Sequence, residues 1–399
     1  MTPAETASPS SDTPPVPGTK APAVLQVLPS LSTGGVERGT VDIATALTEA
    51  GRGAVVASAG GPMAREIERA NAVHVTLPLD SKNPLVMRRN VAALETVIRE
   101  HGIAIVHARS RAPAWSARAA ARRCGVPFVT TFHGTYNFGN PFKKAYNAVM
   151  ASGDIVIAIS DFIGRHVTET YGTAPEKVRV IPRGIDLETF NPDAVSPERM
   201  IQLAQSWRLP DGAPVIMLPG RLTRWKGQAV LIEAARRLGR PDVRVLLVGD
   251  DQGRAAYREE LEDLIGRIGA EGIVHLTGPC RDMAAAYMLA DVVVSASTDP
   301  EGFGRVAAEA QAMGRPVIAT DHGGARETVI AGETGWLVPP GDADALARAL
   351  RAALTMSNED RDAVARRAIA HIRKNFTRAE MCRATLAVYD ELLDAAGRR

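Results

Sequence analysis

Cysteine is scarce in this 399-residue chain: only Cys124, Cys280 and Cys382, far apart and odd in number. That usage excludes a disulfide framework and a clustered zinc site, and it suits a reducing, cytoplasmic compartment. No apolar run approaches the roughly 18 residues that a spanning helix needs. Net charge is also small, +2 in all, which argues against a nucleic-acid partner. The first 21 residues are rich in Pro, Ser and Thr and have no apolar core, so they read as a disordered tail rather than a signal peptide. No Gly-x4-Gly-Lys-Ser/Thr loop occurs, which excludes a P-loop. Neither Gly34-Gly35 nor Gly302-Phe-Gly304 completes the Gly-x-Gly-x-x-Gly spacing of a nicotinamide dehydrogenase.

What the chain does have is enough apolar material for two sizeable cores, 45% hydrophobic against 23% charged residues. Short continuous apolar runs recur, such as Val24–Leu28, Ile103–Val106, Phe128–Thr131 and Ile155–Ile159, with helical patterns between them at Val41–Ala50, Val91–His101 and Ala114–Cys124. Runs of this kind suit strands buried on both faces of a parallel sheet with helical crossovers. The scheme repeats from Val215 onward, with strands expected at Val215–Leu218, Val243–Val248, Val274–Leu276, Val292–Ser295, Val317–Ala319 and Trp336–Val338. The reading is α/β, two Rossmann-like domains facing a central cleft, with ligands at the strand C-termini. The first domain is expected over 22–193 and the second over 194–377, with the boundary in the proline-bearing stretch Asn191–Asp211. A last helix near 378–396 is expected to cross back onto the first domain.

Two strand-to-helix junctions carry chemistry. Glu301-Gly302-Phe303-Gly304 precedes a helix bearing Glu309; the glycines let backbone N–H groups approach a ligand, and the helix N-terminus favours a negative group. Glu301 and Glu309 can accept from sugar hydroxyls and from a ribose diol; on local physics alone they are equally a cap and a solvated face. Gly220-Arg221 with Lys226-Gly227 brings a guanidinium and an ammonium to another helix start, an arrangement that suits a diphosphate or simply an exposed basic surface.

These segments, with Gly314-x-Pro316 and Gly335-Trp-Leu-Val338, resemble glycosyltransferase family 4 from about Val24 to Ala353. The resemblance implies the GT-B fold and retaining transfer from a nucleotide-diphosphate sugar. It implies that the Gly34-Gly35 loop approaches the donor phosphates and that His133 lies near the transferred sugar. It places Asp250 near the nucleotide and Cys280 beside the base. Catalytic roles fall on His133, Glu301, Arg221 and Lys226, and donor contacts on Gly34, Gly35, Arg221, Lys226, Asp250, Cys280, Gly302, Phe303, Gly304 and Glu309. The segment Ile181-Pro-Arg183-Gly184-Ile185-Asp186 is similar to one in which the family has Asn; Arg183 departs from it. Arg109 and Arg111, at the end of another strand, are candidates to hold an acidic acceptor, or are solvated.

The two Asp-x-Asp pairs, Asp342/Asp344 and Asp360/Asp362, read as a helix cap and a surface helix, so no metal is expected, nor any cofactor. Between Pro22 and Asp193 there are 19 Lys and Arg against 15 Asp and Glu, a net of +4. Lys143 and Lys144, with an apolar stripe of Tyr146, Val149 and Met150, are expected either to meet an anionic membrane or to pack in the ordinary way. The expected acceptor is a saccharide or lipid-linked glycan of envelope polysaccharide synthesis. The alternatives are a GT-B epimerase or phosphorylase, and a non-catalytic two-lobed sugar-binding protein.

Overall fold

The structure, a computed structural model, describes residues 22–32, 34–136 and 138–397; the expected N-terminal tail lies outside them. The first domain holds β1 (Ala23–Val27), β2 (Ala54–Ser58), β3 (Val73–Thr76), β4 (Ile103–Ala108), β5 (Phe128–Phe132), β6 (Ile155–Ala158) and β7 (Val178–Val180). Its helices are α1 (Gly35–Glu49), α2 (Ala64–Arg69), α3 (Pro84–Glu100), α4 (Arg111–Cys124), α5 (Pro141–Asn147) and α6 (Asp161–Tyr171). The second domain holds β8 (Val215–Pro219), β9 (Arg244–Val248), β10 (Val274–Gly278), β11 (Val292–Ser295), β12 (Val317–Thr320) and β13 (Gly335–Val338). With them go α7 (Pro197–Ser206), α8 (Gln228–Leu238), α9 (Ala255–Arg267), α10 (Met283–Leu289), α11 (Arg305–Ala312), α12 (Ala325–Thr328), α13 (Ala343–Leu354) and α14 (Asn358–Asn375). The last helix, α15 (Arg378–Ala395), follows.

All pairings within both sheets are parallel, in the orders β3-β2-β1-β4-β5-β6-β7 and β10-β9-β8-β11-β12-β13. The central strands β1, β2, β4, β5, β6 and β8 are buried along their whole length, as continuous apolar runs require, while the edge strands β3 and β7 are partly exposed. The strand order reverses between β1 and β4 and again between β8 and β11. Each reversal opens a crevice at the strand C-termini, because the loops leaving the two neighbouring strands run to opposite faces of the sheet.

The chain returns to the first domain at a clamp. Ile185 donates to the carbonyl of Phe376 at 2.8 Å and accepts from the N–H of Arg378 at 3.0 Å. Beyond it, α15 lies on α1 and β4, with Met381, Cys382, Val388, Tyr389 and Leu393 in the same core as Val24, Leu28, Ile43, Leu47 and Ile105. The buried Tyr389 hydroxyl meets His107 Nδ1 at 2.7 Å, which satisfies a polar group that the core would otherwise penalise. Burial pushes that phenol above its ordinary range and holds the His107 imidazole well below its own. Phe190, in the connection leaving the first domain, packs edge-on against Tyr287 of α10 at 5.9 Å between centroids, so apolar packing continues between the domains.

Candidate active site

Both crevices open onto one cleft, and the candidate side chains sit at its strand ends. In the second domain, Lys226 and Glu301 leave the two strands flanking the reversal, β8 and β11. Lys226 Nζ donates to Glu301 Oε1 at 2.5 Å, and Ser297 Oγ donates to the same oxygen at 2.6 Å. Lys226 also lies over the Trp225 ring, 4.4 Å from its centroid. A turn after β12 braces the carboxylate's loop, since the Gly324 N–H donates to the Glu301 carbonyl at 2.8 Å. A side chain at Gly227 would strike the Ala296 carbonyl, and its φ of 74° is left-handed; glycine is required there on both counts.

Glu309, on α11, is nearly buried. Its Oε2 accepts from the Tyr287 hydroxyl at 2.9 Å and its Oε1 from Arg305 Nε at 2.7 Å. Burial and the adjacent carboxylate raise the Tyr287 phenol well above its ordinary range. Arg305 in turn reaches across the cleft: a side chain at Gly35 would meet its guanidinium at 3.5 Å.

The first domain supplies the opposite wall. Gly302 lies against the His133 carbonyl, where a Cβ would come within 2.6 Å, and Ser160 Oγ donates to the Gly302 carbonyl at 2.6 Å. Glu327 of α12 caps α6 from across the cleft, accepting from the N–H groups of Asp161 at 2.9 Å and Phe162 at 2.7 Å. His133 Nδ1 lies 3.2 Å from Arg183 Nη2, which also donates to the Gly35 carbonyl at 2.9 Å. A continuous path of contacts thus runs from Lys226 through Glu301, Gly302, His133, Arg183, Gly35 and Arg305 to Glu309, and crosses between the domains twice.

Four helices begin here at glycine with no side-chain cap: α1 after Gly34, α8 after Gly227, α11 after Gly304 and the short α12 after Gly324. By contrast α6, α10, α13, α14 and α15 are capped by Ser160, Asp282, Asp342, Ser357 and Thr377. Uncapped N-termini keep their N–H donors and partial positive charge available to an anion.

Of the remaining candidates, Arg109 lies beside Arg183 and His133, and the others lie apart from this path. Arg221 is exposed with one long contact to Gln252 at 3.5 Å, and Asp250 is exposed with Oδ1 on the Gln252 N–H at 2.9 Å. Cys280 is half-buried at the end of β10, and Phe303 is buried edge-on against Phe376. Arg109 is only 2% exposed and donates to Gln26. Arg111 donates to Asn147 at 3.0 Å and covers the Tyr136 ring. Among the described residues, no three His, Cys, Asp or Glu gather as metal ligands. Asp342 caps α13, and Asp344 pairs with Arg237 at 3.1 Å. No helix among the described residues is long and apolar enough to cross a membrane.

Of the two readings of the stripe beside Lys143 and Lys144, ordinary packing holds for Val149 and Met150. Val149 and Met150 are buried in the core because the chain after α5 turns inward; the exposed apolar groups are Phe142, 88% exposed, with Phe138 and Trp115.

Two family models match the chain, Glycosyltransferase Family 4 over residues 33–189 and Glycosyl transferases group 1 over residues 200–371. The crystal structure of a glycosyltransferase from Rickettsia africae superposes with a TM-score of 0.87 and 36% identity, covering 94% of this chain and 99% of that one. The chain belongs to the family 4 glycosyltransferases, with the GT-B fold. Anabaena Alr3699/HepE, solved in complex with UDP-glucose, is similar at a TM-score of 0.82 and 26% identity over 92% of this chain and 99% of that one. The D-inositol 3-phosphate glycosyltransferase of Xylanimonas cellulosilytica is 34% identical over 257 residues, 59% of this chain and 60% of that protein, so the chain spans less than two thirds of that relative's length.

In this family 4 chain, sequence reasoning missed Ser297, Tyr287, Arg305 and Glu327. Ser297 stands four residues before Glu301, Arg305 four before Glu309, and that helical spacing was the signal for Arg305. Tyr287 and Glu327 are distant in sequence from the groups they touch, and nothing local marks them.

Proposed function

We propose that the protein transfers a sugar from a nucleotide-diphosphate sugar to a saccharide or lipid-linked acceptor, with retention at the anomeric carbon and without a metal. The observation that carries this reading is the Lys226–Glu301 pair set between two glycine-started helices at the strand-order reversal of the second domain. The complex of Alr3699/HepE with UDP-glucose supports the donor class.

As the bond between the anomeric carbon and the diphosphate lengthens, negative charge grows on the leaving group. Lys226 and the N–H groups opening α8 and α11 are fixed donors for it, so the site needs little reorganisation as the charge develops, and the exposed Arg221 adds a mobile cation. Glu301, braced by Ser297, accepts from the sugar's hydroxyls. His133 is neutral, because burial and the neighbouring Arg183 hold its imidazole well below the ordinary range, and a neutral ring donates from one nitrogen only. The acceptor hydroxyl attacks from the face that the diphosphate leaves. A new carbon–oxygen bond forms as the old one breaks, and the acceptor's proton passes to the departing phosphate oxygen, so no protein base is assigned. Phe142, next in the chain to the basic Lys143 and Lys144, and the first domain's excess of cations support docking at the inner face of an anionic membrane, where a lipid-linked acceptor of envelope polysaccharide would lie.

The test incubates the full chain with UDP-, GDP- and ADP-sugars in excess chelator and measures nucleoside diphosphate release and thermal shift. One preferred nucleotide should raise the melting temperature, and one should turn over. Turnover that vanishes in chelator and returns with magnesium would refute the metal-free step. Protection by no nucleotide at all would refute the donor class.

A further inference from the structure

Arg183 stands between the first domain's sheet and the clamp where the chain returns. Its backbone is held on both sides: the Ile181 N–H donates to the Ala158 carbonyl at 2.8 Å, and Gly184 packs directly on Arg378. The side chain has one direction to go, inward, and it is 8% exposed. Its Nη2 reaches two acceptors on different loops, the Gly35 carbonyl at 2.9 Å and His133 Nδ1 at 3.2 Å.

A guanidinium has only donors. The nitrogen that faces it must therefore be the unprotonated, accepting one, and the ring's single proton then sits on Nε2. Nε2 is buried and has no hydrogen-bond partner among the described residues. The His133 carbonyl sits where Gly302 closes on the first domain, beside the loop that carries Glu301.

We propose that Arg183 is a positioning residue that fixes His133 as the Nε2–H tautomer, so that a donor N–H faces the bound sugar, and that the same guanidinium sets the Gly34–Gly35 loop against it. The inference rests on the glycosyl-transfer reading for what Nε2–H meets, but not for the tautomer itself.

The groups facing His133 agree. Arg183 comes from the segment after β7 and Arg109 and His107 from the end of β4; Tyr136 of its own loop places its hydroxyl 3.5 Å from the His133 N–H. Glu37 and Asp42 of α1 act on Arg183. Burial and the second guanidinium lower Arg183 to about 9, which leaves it a cation at neutral pH. A protonated His133 would set a third buried cation against these two, so the ring stays neutral.

The test is long-range proton–nitrogen correlation on protein labelled at histidine, with His133 assigned from the spectrum that His133→Gln lacks. Without ligand, His133 should show an unprotonated Nδ1 and a protonated Nε2, unchanged as the pH is lowered through the ordinary imidazole value of about 6.5. In Arg183→Met the ring should mix tautomers and gain a proton on acidification. Arg183→Lys keeps a donor and the charge, and should retain the wild-type pattern. In transfer assays Arg183→Met should lower kcat by about tenfold or more, the order expected when one charge-assisted contact in a dry site is lost. A protonated Nδ1 in the wild type, or the same His133 pattern in Arg183→Met, overturns the proposal. If Arg183→Met does not fold, loss of the wild-type pattern in a folded Arg183→Lys overturns it as well. If the tautomer is as stated but no nucleotide sugar moves the Nε2 resonance, the positioning of a sugar donor is overturned, whereas absence of nucleotide binding altogether fails the transfer reading alone.

Discussion

Lys226 offers the sharpest test of the site, because among the described residues it is the one cation paired with Glu301. Lys226→Met keeps the length of the side chain and removes its charge. Breaking a buried ion pair from one side typically costs about 3–5 kcal/mol, most of it from the charge left behind. Here the side chains retain 16% and 13% of their exposure, and Ser297 still donates to Glu301 at 2.6 Å. A loss of about 2–3 kcal/mol is therefore expected, below the fully buried range. For a domain of this size that is a fall in Tm of about 4–12 °C. Lys226→Met with Glu301→Gln leaves neither charge stranded and should recover most of the Tm. Binding should behave differently. Losing one charge-assisted contact to a diphosphate costs about 1.5–3 kcal/mol, or about ten- to a hundredfold in Kd for UDP, and the second substitution cannot restore it. Calorimetry and thermal denaturation read the two effects separately. Wild-type Tm and wild-type UDP affinity in Lys226→Met would refute the reasoning, as would a double variant that binds UDP normally.

Arg221 is exposed and weakly tethered, so Arg221→Ala should weaken UDP binding by about tenfold with an unchanged Tm, and equal affinity in calorimetry removes it from the site. Glu327→Ala removes a cap that joins the domains, worth about 0.5–2 kcal/mol, so X-ray scattering should show a larger radius of gyration without ligand, and identical curves would deny that Glu327 holds the cleft closed. Lys143→Glu with Lys144→Glu and, separately, Phe142→Ser should each reduce sedimentation with anionic vesicles at low salt; protein that stays in the supernatant in every case refutes membrane docking by this face.

Much of the fold is legible because buried parallel strands are nearly pure apolar runs. The expected Val24–Leu28 and the observed β1, Ala23–Val27, differ by one residue at each end. Short polar helices are harder to read. The stretch Asn191–Asp211 looks like a linker because of its prolines, yet Pro197 occupies the first turn of α7, where the missing N–H costs nothing and Ser196 supplies the cap. Arg199 of that helix forms an ion pair with Asp282, the cap of α10, at 2.6 Å, which ties it to the second domain. The prolines marked a helix start as much as a break.

The candidate site was legible where one strand-to-helix junction holds both the backbone and the side chain of a candidate group. Lys226-Gly227 and Glu301-Gly302 are such junctions: glycine is forced by the approach of a neighbouring carbonyl, and the charged neighbour is delivered to the helix start by the same turn. Arg183 lies outside that logic. Its segment reads as an ordinary strand exit, and its partners, Gly35 and His133, are 148 and 50 residues away in the chain. Only the clamp at Ile185, made by a helix from the far end of the chain, turns its side chain inward. The residue that orders the first domain's half of the cleft is thus placed by the C-terminal crossing, so truncating α15 should disorder His133 and the Gly34–Gly35 loop before it unfolds either sheet.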